Sequence, residues 1–473
     1  MGHEKQTNSS QGLPLFSRYI WKITYTDYRR LARQCNVADE AMIISREGAT
    51  MRVIVGWALC LVLLSACSRE GSEISAFVGA EIWDGTGSDF ISNGVILVHD
   101  GRISEVGSDE EIVIPSGADV EDLSGRIIVP GLINTHGHVG GVLGLDSGYY
   151  NRENLIRQLR LYADYGITTV NSLGGDGEEG KILRDEQVSI PDLDRARLYI
   201  AGEVITGTTS SEVLEVLQRN AELDVNWMKI RVDDNLGSTS KMPVNLFSTI
   251  IDRSHELGFK LASHLFYLED AKDLLRAGTD FIAHSIRDVN VDEEFLDLLS
   301  QSGVCYSPTL TREVSTFIYE NRPDFFDDPF FLKHADTVVV NKLSEVVRQQ
   351  AVRENTSAQG YKRGLPIAME NLKSIVDAGL PIGFGTDTGP AGRFQGFFEH
   401  MELVLMQRAG MSPEQILRSA TGEAAKCLGL EQEIGTLQPN RWADFIVLTE
   451  NPLENVRNMR NIESVWIAGN RIG

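Results

Sequence analysis

The feature that most constrains the fold of this chain is a regular alternation of strand-like and helix-like segments between about residues 130 and 430. Short apolar runs predict strands, and the segments between them carry apolar residues at helical spacing, as at Leu155, Leu159 and Tyr162. Strand–helix alternation repeated eight times favours a parallel sheet closed as a (β/α)8 TIM barrel, an α/β fold, although an open doubly wound sheet has the same local pattern. The predicted strands are residues 127–136, 168–173, 198–205, 227–232, 260–264, 281–284, 304–309 and 381–387.

Further strand-like segments rich in β-branched residues lie on both sides of this region. They are residues 74–82, 94–99 and 102–106 before it, and 442–448 and 463–468 after it. Asp100-Gly101 is a hairpin-turn signal between two of them. Neither group alone has enough strands to be stable. We therefore expect one small composite β-sandwich built from residues 74–129 and 432–473, beside a barrel over residues 130–431.

One connection inside the barrel region is much longer than the others. It runs from residue 310 to about residue 367 and is rich in aromatic and charged residues. Long connections in compact domains usually serve a function, so we expect a lid or a subunit contact here.

A short apolar run follows Met51 and Arg52 and ends in small residues before Cys67. A basic start, an apolar core of about a dozen residues and a small-residue cleavage site are typical of a secretory signal peptide. The run is shorter than the roughly 20 apolar residues that span a membrane. A buried or interfacial helix is the alternative. We expect residues 51–66 to be the signal peptide and residues 1–50 to be a non-native upstream extension.

The last residues of that segment, Leu-Ser-Ala-Cys, resemble the bacterial lipobox, in which the cysteine is lipidated and becomes the first residue. Cys67 would then begin a tether over residues 67–73. This resemblance implies a chain that is exported and lipid-anchored to a bacterial membrane, facing the periplasm or the cell surface.

Charge and cysteine content exclude some classes of protein. The net charge of −23 argues against a nucleic-acid partner, because phosphates would be repelled. The five cysteines are scattered and show no Cys-x-x-Cys spacing. We expect no structural disulfide in the folded region, where Cys305 and Cys427 would be small buried side chains.

A pair of histidines closes the first predicted barrel strand. His136 and His138 are two residues apart, so their side chains share one face of the strand. Neutral imidazoles are good zinc ligands, and the two could bind one ion together. A single His-x-His is weak evidence, since an isolated histidine is more often a satisfied core residue.

Other candidate ligands occupy the ends of later strands, and these ends form the catalytic face of a barrel. His264, His284 and Asp387 each end a predicted strand, and Lys229 lies within the apolar strand 227–232. Four histidines and a carboxylate in register with strand ends are difficult to explain as core packing. The sequence therefore predicts a metal site.

With these residues in place, the chain resembles the amidohydrolase superfamily, in particular its imidazolonepropionase-like and prolidase-like branches. The resemblance covers about residues 74–473. It implies that a carbamylated Lys229 bridges two zinc ions, that Asp387 is the proton shuttle, and that Asp387 and His284 are the catalytic residues. Asn134 stands where the family often has aspartate, which we interpret as tuning. The implied metal ligands are His136, His138, Lys229, His264, His284 and Asp387.

The lysine can also be considered on its own. A buried cation on an apolar strand is costly, whereas a carbamate would be an anionic ligand for two ions. The alternative is a snorkelling or salt-bridged lysine, with a single ion in the site.

Candidate substrate-binding residues are Arg231, Tyr306, Arg312 and Arg393, which lie at or after strand ends. An arginine fork matches a carboxylate, so a carboxylate-bearing amide such as a peptide's carboxyl end fits. The alternative is that these arginines pair with nearby acids.

The leading hypothesis is a metal-dependent hydrolase that cleaves the amide bond of a small peptide, an acyl-amino acid or a cyclic amide. The first alternative is a mononuclear deaminase or imidazolone-type ring hydrolase. The second is a non-catalytic metal-binding surface lipoprotein. A homo-oligomer is compatible with the sequence, which does not specify the oligomeric state.

Overall fold

The computed structural model describes residues 74–472, in which the strands fall into two groups. The first group forms one mixed eight-stranded sheet with the order β17-β16-β15-β5-β1-β2-β3, and β4 pairs with β1. Its strands come from both ends of the described chain. They are β1 (Ser75–Ile82), β2 (Ile91–His99), β3 (Arg102–Ser108), β4 (Asp119–Asp122), β5 (Ile127–Pro130), β15 (Phe445–Leu448), β16 (Ile462–Ile467) and β17 (Asn470–Ile472).

Strand β5 joins the two ends, because it pairs with β1 on one side and with β15 on the other. An apolar cluster joins them as well. The ring of Phe77 on β1 lies 4.9 Å from that of Phe445 and 4.6 Å from that of Trp466, between centroids. One composite sheet is thus present, and the strand pairing does not separate it into the two layers of a sandwich.

The second group consists of parallel strands that lead towards the candidate site. They pair in the orders β10-β9-β6 and β11-β12-β13-β14. Every strand of this group overlaps one of the predicted barrel strands. The bounds are β6 (Leu132–Gly137), β9 (Ile167–Ser172), β10 (Arg197–Ile200), β11 (Trp227–Arg231), β12 (Lys260–His264), β13 (Phe281–Ala283) and β14 (Cys305–Ser307), with a short hairpin of β7 (Val142–Leu143) and β8 (Asp146–Ser147) after β6.

The predicted eighth strand, residues 381–387, is not a regular strand. Its backbone is shared among several neighbours: Gly383 N donates to Tyr306 O, whereas Phe384 N donates to Ser419 O. Isolated parallel bridges join Tyr306 to Ile382 and Gly137 to Thr388, so the segment lies between β14 and β6. A third bridge, Ile205 to Ile230, connects the end of the β10 segment with β11.

Helices separate the parallel strands, and capping explains several of their boundaries. At the start of helix Glu293–Ser302, the Asp292 side chain accepts a hydrogen bond from Phe295 N, and Gly303 ends this helix with φ of 64°. The helices are α1 (Arg152–Asp164), α2 (Glu178–Glu186), α3 (Ser210–Glu222), α4 (Val244–Glu256), α5 (Leu268–Ala277), α6 (Glu293–Ser302), α7 (Leu310–Phe317), α8 (Pro329–Leu332), α9 (Thr337–Leu343), α10 (Val346–Glu354), α11 (Thr356–Asp377), α12 (Phe397–Arg408), α13 (Pro413–Ser419) and α14 (Gly422–Leu428).

The long connection after β14 is mostly helical. It contains α7 to α10, two 3-10 turns (Ile318–Glu320 and Asp324–Asp327) and the start of α11. A further 3-10 turn, Val456–Arg460, precedes β16. The connection packs against the candidate site through Arg312 and Tyr361, whose guanidinium and ring are stacked 3.9 Å apart.

The expectation of no disulfide in the folded region was wrong. Cys305 at the start of β14 and Cys427 on α14 are bonded, with their Cα atoms 5.7 Å apart. Both side chains are buried, as expected, but 122 residues separate them in the sequence. Because the two cysteines show no Cys-x-x-Cys spacing, nothing in the local sequence indicates that the start of β14 lies against α14.

The predictions for residues 1–50, 51–66 and 67–73 lie outside the described residues. Among residues 74–472, no helix has both the length and the apolar character needed to cross a membrane.

Candidate active site

Three predicted ligands meet at the carboxyl ends of the parallel strands. His136 is on β6, His284 follows β13, and Asp387 ends the segment after α11. One donor atom from each of these residues lies within 4.8 Å of the others, and all three residues are buried. This is the arrangement that the strand-end rule predicts, because parallel strands bring their carboxyl ends to one face.

His138 and His264 lie beside this group. The ring centroids of His138 and His136 are 5.7 Å apart, and those of His264 and His284 are 4.1 Å apart. The structure therefore brings all four predicted histidines together with Asp387.

Three of the histidines are oriented by a contact through one ring nitrogen. His138 Nδ1 lies 2.8 Å from Gly174 O, His264 Nε2 lies 3.2 Å from Asp233 Oδ2, and His284 Nδ1 lies 2.7 Å from Thr309 Oγ1. In each case this contact leaves the other ring nitrogen to face an ion, and that of His138 also lies beside Asp387. Contacts of this kind fix the ring and its tautomer in metal sites. Sequence reasoning did not identify these three partners, which lie in loops without a motif.

The contact between His138 and Asp387 indicates whether a cation fits between these two side chains. His138 Nε2 lies 2.8 Å from Asp387 Oδ1. When Nδ1 donates its proton to Gly174 O, a neutral imidazole turns the lone pair of Nε2 towards a carboxylate. A second proton or a metal cation satisfies both atoms. Imidazole nitrogens with a carboxylate oxygen are ligands suited to zinc, so the residues present fit the ion.

Lys229 lies within β11 and is 2 % exposed. Its Nζ is 3.4 Å from His136 Nε2, which places the amine at the edge of the ligand cluster. Burial lowers the pKa of Lys229 to about 7, although the charge of Asp387 opposes that change. A substantial fraction of this amine is therefore neutral near pH 7.

Asp387 is held by charged and backbone groups. Burial raises its pKa, but the nearby Arg393 and the hydrogen bond with His138 outweigh burial and hold the pKa well below its usual range. Arg393 donates to Asp387 Oδ2 and, at 3.2 Å, to its backbone oxygen. The backbone φ of Asp387 is 58°, an uncommon conformation for a residue with a side chain.

Arg312 approaches the same carboxylate from α7. Its Nε lies 4.0 Å from Asp387 Oδ2, is buried and makes no hydrogen bond. Its guanidinium also stacks on Tyr361 and contacts Glu313 Oε2 at 3.3 Å. Two of the predicted substrate residues, Arg312 and Arg393, thus flank Asp387.

The other two predicted substrate residues lie in different environments. Arg231 is partly exposed, and its Nε is 3.9 Å from Asp233 Oδ1. Tyr306 lies in the core with no exposed surface, and its hydroxyl accepts a hydrogen bond of 2.9 Å from Ile286 N. We therefore leave Tyr306 out of the proposed substrate site.

Arg393 also lines a cavity of about 130 Å³. Phe331, Phe394 and Arg157 are among its lining residues.

Buried Glu399, on α12, is another residue to which sequence reasoning gave no role in the site. Its Oε1 accepts hydrogen bonds from Asn134 Nδ2 (2.8 Å), Thr386 Oγ1 (2.7 Å) and Thr388 Oγ1 (2.5 Å). Burial raises the pKa of Glu399 to about 7. Asn134 and Glu399 are 265 residues apart, so no local pattern could have indicated the contact.

Comparison with known proteins identifies the family of this chain. Residues 127–472 match the amidohydrolase family. An imidazolonepropionase of Thermoplasma acidophilum is 22% identical over 398 residues, which cover 79% of this chain and 87% of the relative. A guanine deaminase of Escherichia coli is 23% identical over 403 residues, covering 80% and 86%.

Similarity to solved structures shows the same fold. A crystal structure of a Xaa-Pro dipeptidase with bound methionine superposes with a TM-score of 0.68 at 20% identity. The similarity covers 84% of this chain and 99% of the dipeptidase. Such neighbours indicate an α/β fold of the TIM-barrel type. On the match of residues 127–472, the chain belongs to the amidohydrolase family.

Proposed function

We propose that this enzyme hydrolyses the carbon–nitrogen bond of a small amide, peptide or acyl-amino acid with the help of bound zinc. The observation that carries the proposal is the convergence of His136, His284 and Asp387 within 4.8 Å, with His138 and His264 beside them. Such a buried set of nitrogen and oxygen donors has little use in a protein that only binds a partner at its surface. It therefore disfavours a non-catalytic lipoprotein.

The six predicted ligands would hold the metal, with Lys229 as the ligand shared by two ions. Bound zinc lowers the pKa of a water molecule and polarises a carbonyl oxygen. Asp387 accepts the proton of the attacking water and passes it to the leaving nitrogen, which avoids expulsion of an unprotonated amine. His284, whose Nδ1 contacts Thr309 Oγ1, would use its other ring nitrogen towards the ion or the substrate.

We propose two ions because of the position of Lys229. Its amine is buried, lies 3.4 Å from His136 Nε2, and has a pKa lowered by burial to about 7. A neutral amine can add to carbon dioxide and release a proton, which gives an anionic carbamate that would serve as an oxygen ligand for two ions. In the alternative, Lys229 stays unmodified and the site holds one ion. The relatives named imidazolonepropionase and guanine deaminase favour testing this alternative.

The substrate we propose carries a carboxylate near the scissile bond. Arg312 and Arg393 both approach Asp387 Oδ2, and Arg312 Nε makes no hydrogen bond. Once Asp387 binds a metal, the two arginines carry positive charge that the carboxylate no longer neutralises fully. A substrate carboxylate can offset this charge and accept bidentate hydrogen bonds from a guanidinium group.

Two broader parts of the sequence interpretation remain proposals. The first is a closed barrel, which the three parallel bridges support, beside a composite sandwich, of which the shared sheet supports only the origin from both chain ends. The second is export with a lipid anchor on Cys67. The disulfide between Cys305 and Cys427 supports export, because such bonds persist mainly in oxidising compartments.

The test is the zinc content per chain of purified wild-type protein and of Lys229→Ala, after expression with added zinc. We expect about two ions in the wild type and one or fewer in the variant. Lys272→Ala is the matched control, because Lys272 is also buried but pairs with Asp292 and Glu294, and it should keep the wild-type zinc content.

One ion in both wild type and Lys229→Ala would overturn the carbamate bridge and direct the substrate search to ring hydrolysis and deamination. No zinc in either protein would overturn the hydrolase mechanism. Acyl-amino acids and dipeptides, each compared with its carboxyl-terminal amide, are the substrates to assay first.

A further inference from the structure

The two carboxyl oxygens of buried Glu399 accept hydrogen bonds from different groups. Oε2 accepts a hydrogen bond of 2.6 Å from Gly396 N, which caps the first turn of α12. Oε1 faces the site and accepts the three hydrogen bonds from Asn134, Thr386 and Thr388 described above. A residue needed only to cap a helix would not require the second set of partners.

The three partners of Oε1 surround two predicted ligands. Thr386 and Thr388 are the residues on either side of Asp387. Asn134 Oδ1 accepts a hydrogen bond of 3.0 Å from His136 N, and its Nδ2 also donates to Thr386 Oγ1 at 2.8 Å. This carboxylate thus connects the backbone around the first histidine with the backbone around the aspartate.

The backbone of Asp387 needs such support. Its φ of 58° is unfavourable for a residue other than glycine and persists only where the surroundings hold it. His136 O accepts hydrogen bonds from Thr386 N (3.1 Å) and Asp387 N (2.7 Å), so the conformation of one ligand depends on the position of the other.

We propose that Glu399 is a positioning residue of the metal site, and that it forms with Asn134 a matched acceptor–donor pair that sets the geometry between His136 and Asp387. The inference rests on the proposed function, because it assumes that these two side chains bind zinc. Glu399 does not touch the reacting atoms. It acts through the residues that flank the ligands.

The pair can be tested by exchanging the hydrogen-bond donor and the acceptor between Asn134 and Glu399. Asn134→Asp places a second buried carboxylate against Glu399, which removes a donor and adds like charge. Glu399→Gln puts an amide N–H against either Asn134 Nδ2 or Gly396 N, so two donors face each other. In the double variant, the glutamine N–H can donate to the new aspartate and its oxygen can accept from Gly396 N.

We measure zinc affinity by competition with a chelator on folded protein, together with the thermal midpoint and kcat. Each single variant should lose about 10- to 100-fold in zinc affinity, as is typical when partners of metal ligands are changed. The double variant should recover to within about fivefold of the wild type, which requires that the two changes be coupled.

Two further variants separate positioning from general stability. Asp444→Asn changes another buried carboxylate, which pairs with Arg197 at 2.8 Å and contacts no candidate ligand. It should lower the thermal midpoint and keep the zinc affinity. If Glu399→Gln does not fold, Thr388→Val removes one donor to Oε1 and should weaken zinc binding by a smaller factor.

Single variants that lose thermal stability but keep wild-type zinc affinity would show a purely structural role and overturn the proposal. A double variant as weak as either single variant would overturn the matched pair. A wild type that binds no zinc would refute the proposed function itself, and the positioning role with it. If the wild type binds zinc and the variants give either of the first two results, the inference fails and the proposed function stands.

Discussion

Reduction of the disulfide between Cys305 and Cys427 should destabilise the enzyme measurably. The bond closes a segment of 122 residues. The loop-entropy relation gives about 5 kcal/mol for a closed segment of this length. With an unfolding entropy of roughly 2.1 cal/mol/K per residue over roughly 400 residues, the thermal midpoint should fall by about 6 °C.

The assay is thermal unfolding of the full chain with and without dithiothreitol, with thiols counted under both conditions. Cys305→Ala/Cys427→Ala is the control, because it keeps every other cysteine and should not respond to the reductant. If reduction frees both thiols and the midpoint changes by less than about 1 °C, the loop-entropy reasoning is refuted.

Three further changes have effects that can be worked out from buried groups. Asp444→Ala leaves the guanidinium of Arg197 buried without its partner. The free energy of unfolding, measured by denaturant titration, should fall by about 3–5 kcal/mol, and the zinc content should not change. Burial lowers the pKa of His400 in the folded protein to about 4, whereas its pKa in the unfolded chain is about 6.5. Between these two pH values only the unfolded chain gains a proton, so the free energy of unfolding falls as the pH falls. This histidine should account for a loss of about 2 kcal/mol between pH 7 and pH 5, and the pH dependence of unfolding should weaken by that amount in His400→Gln. Arg312→Met should raise KM for carboxylate substrates about tenfold or more and leave KM for the matching neutral amides within about twofold, and an equal rise for both would contradict the charge argument.

The parts of this molecule that follow from local sequence are the strands and the residues at their ends. An apolar run specifies a strand, and parallel strands carry their last residues to one face. That reasoning was enough to expect His136, His284 and Asp387 at one place, where the structure puts them. It also placed Lys229 inside an apolar strand.

Contacts between distant residues could not be predicted in this way. The Cys305–Cys427 bond and the Asn134–Glu399 hydrogen bond join segments 122 and 265 residues apart, with no motif at either end. The eighth segment was expected to be an ordinary strand. Its amides instead donate to several neighbours, because it has to follow β14, reach β6 and present Asp387 in a left-handed conformation.

The sheet shared by the two chain ends has a consequence for synthesis on the ribosome. Strand β5 is translated early, but its second neighbour, β15, consists of residues 445–448. Until those residues emerge, the nascent chain carries an unpaired strand edge, which is a site for aggregation or for binding by a chaperone. Shortening the polypeptide before β15 would therefore remove a partner from the middle of the sheet, some three hundred residues away in sequence, rather than trim a peripheral tail.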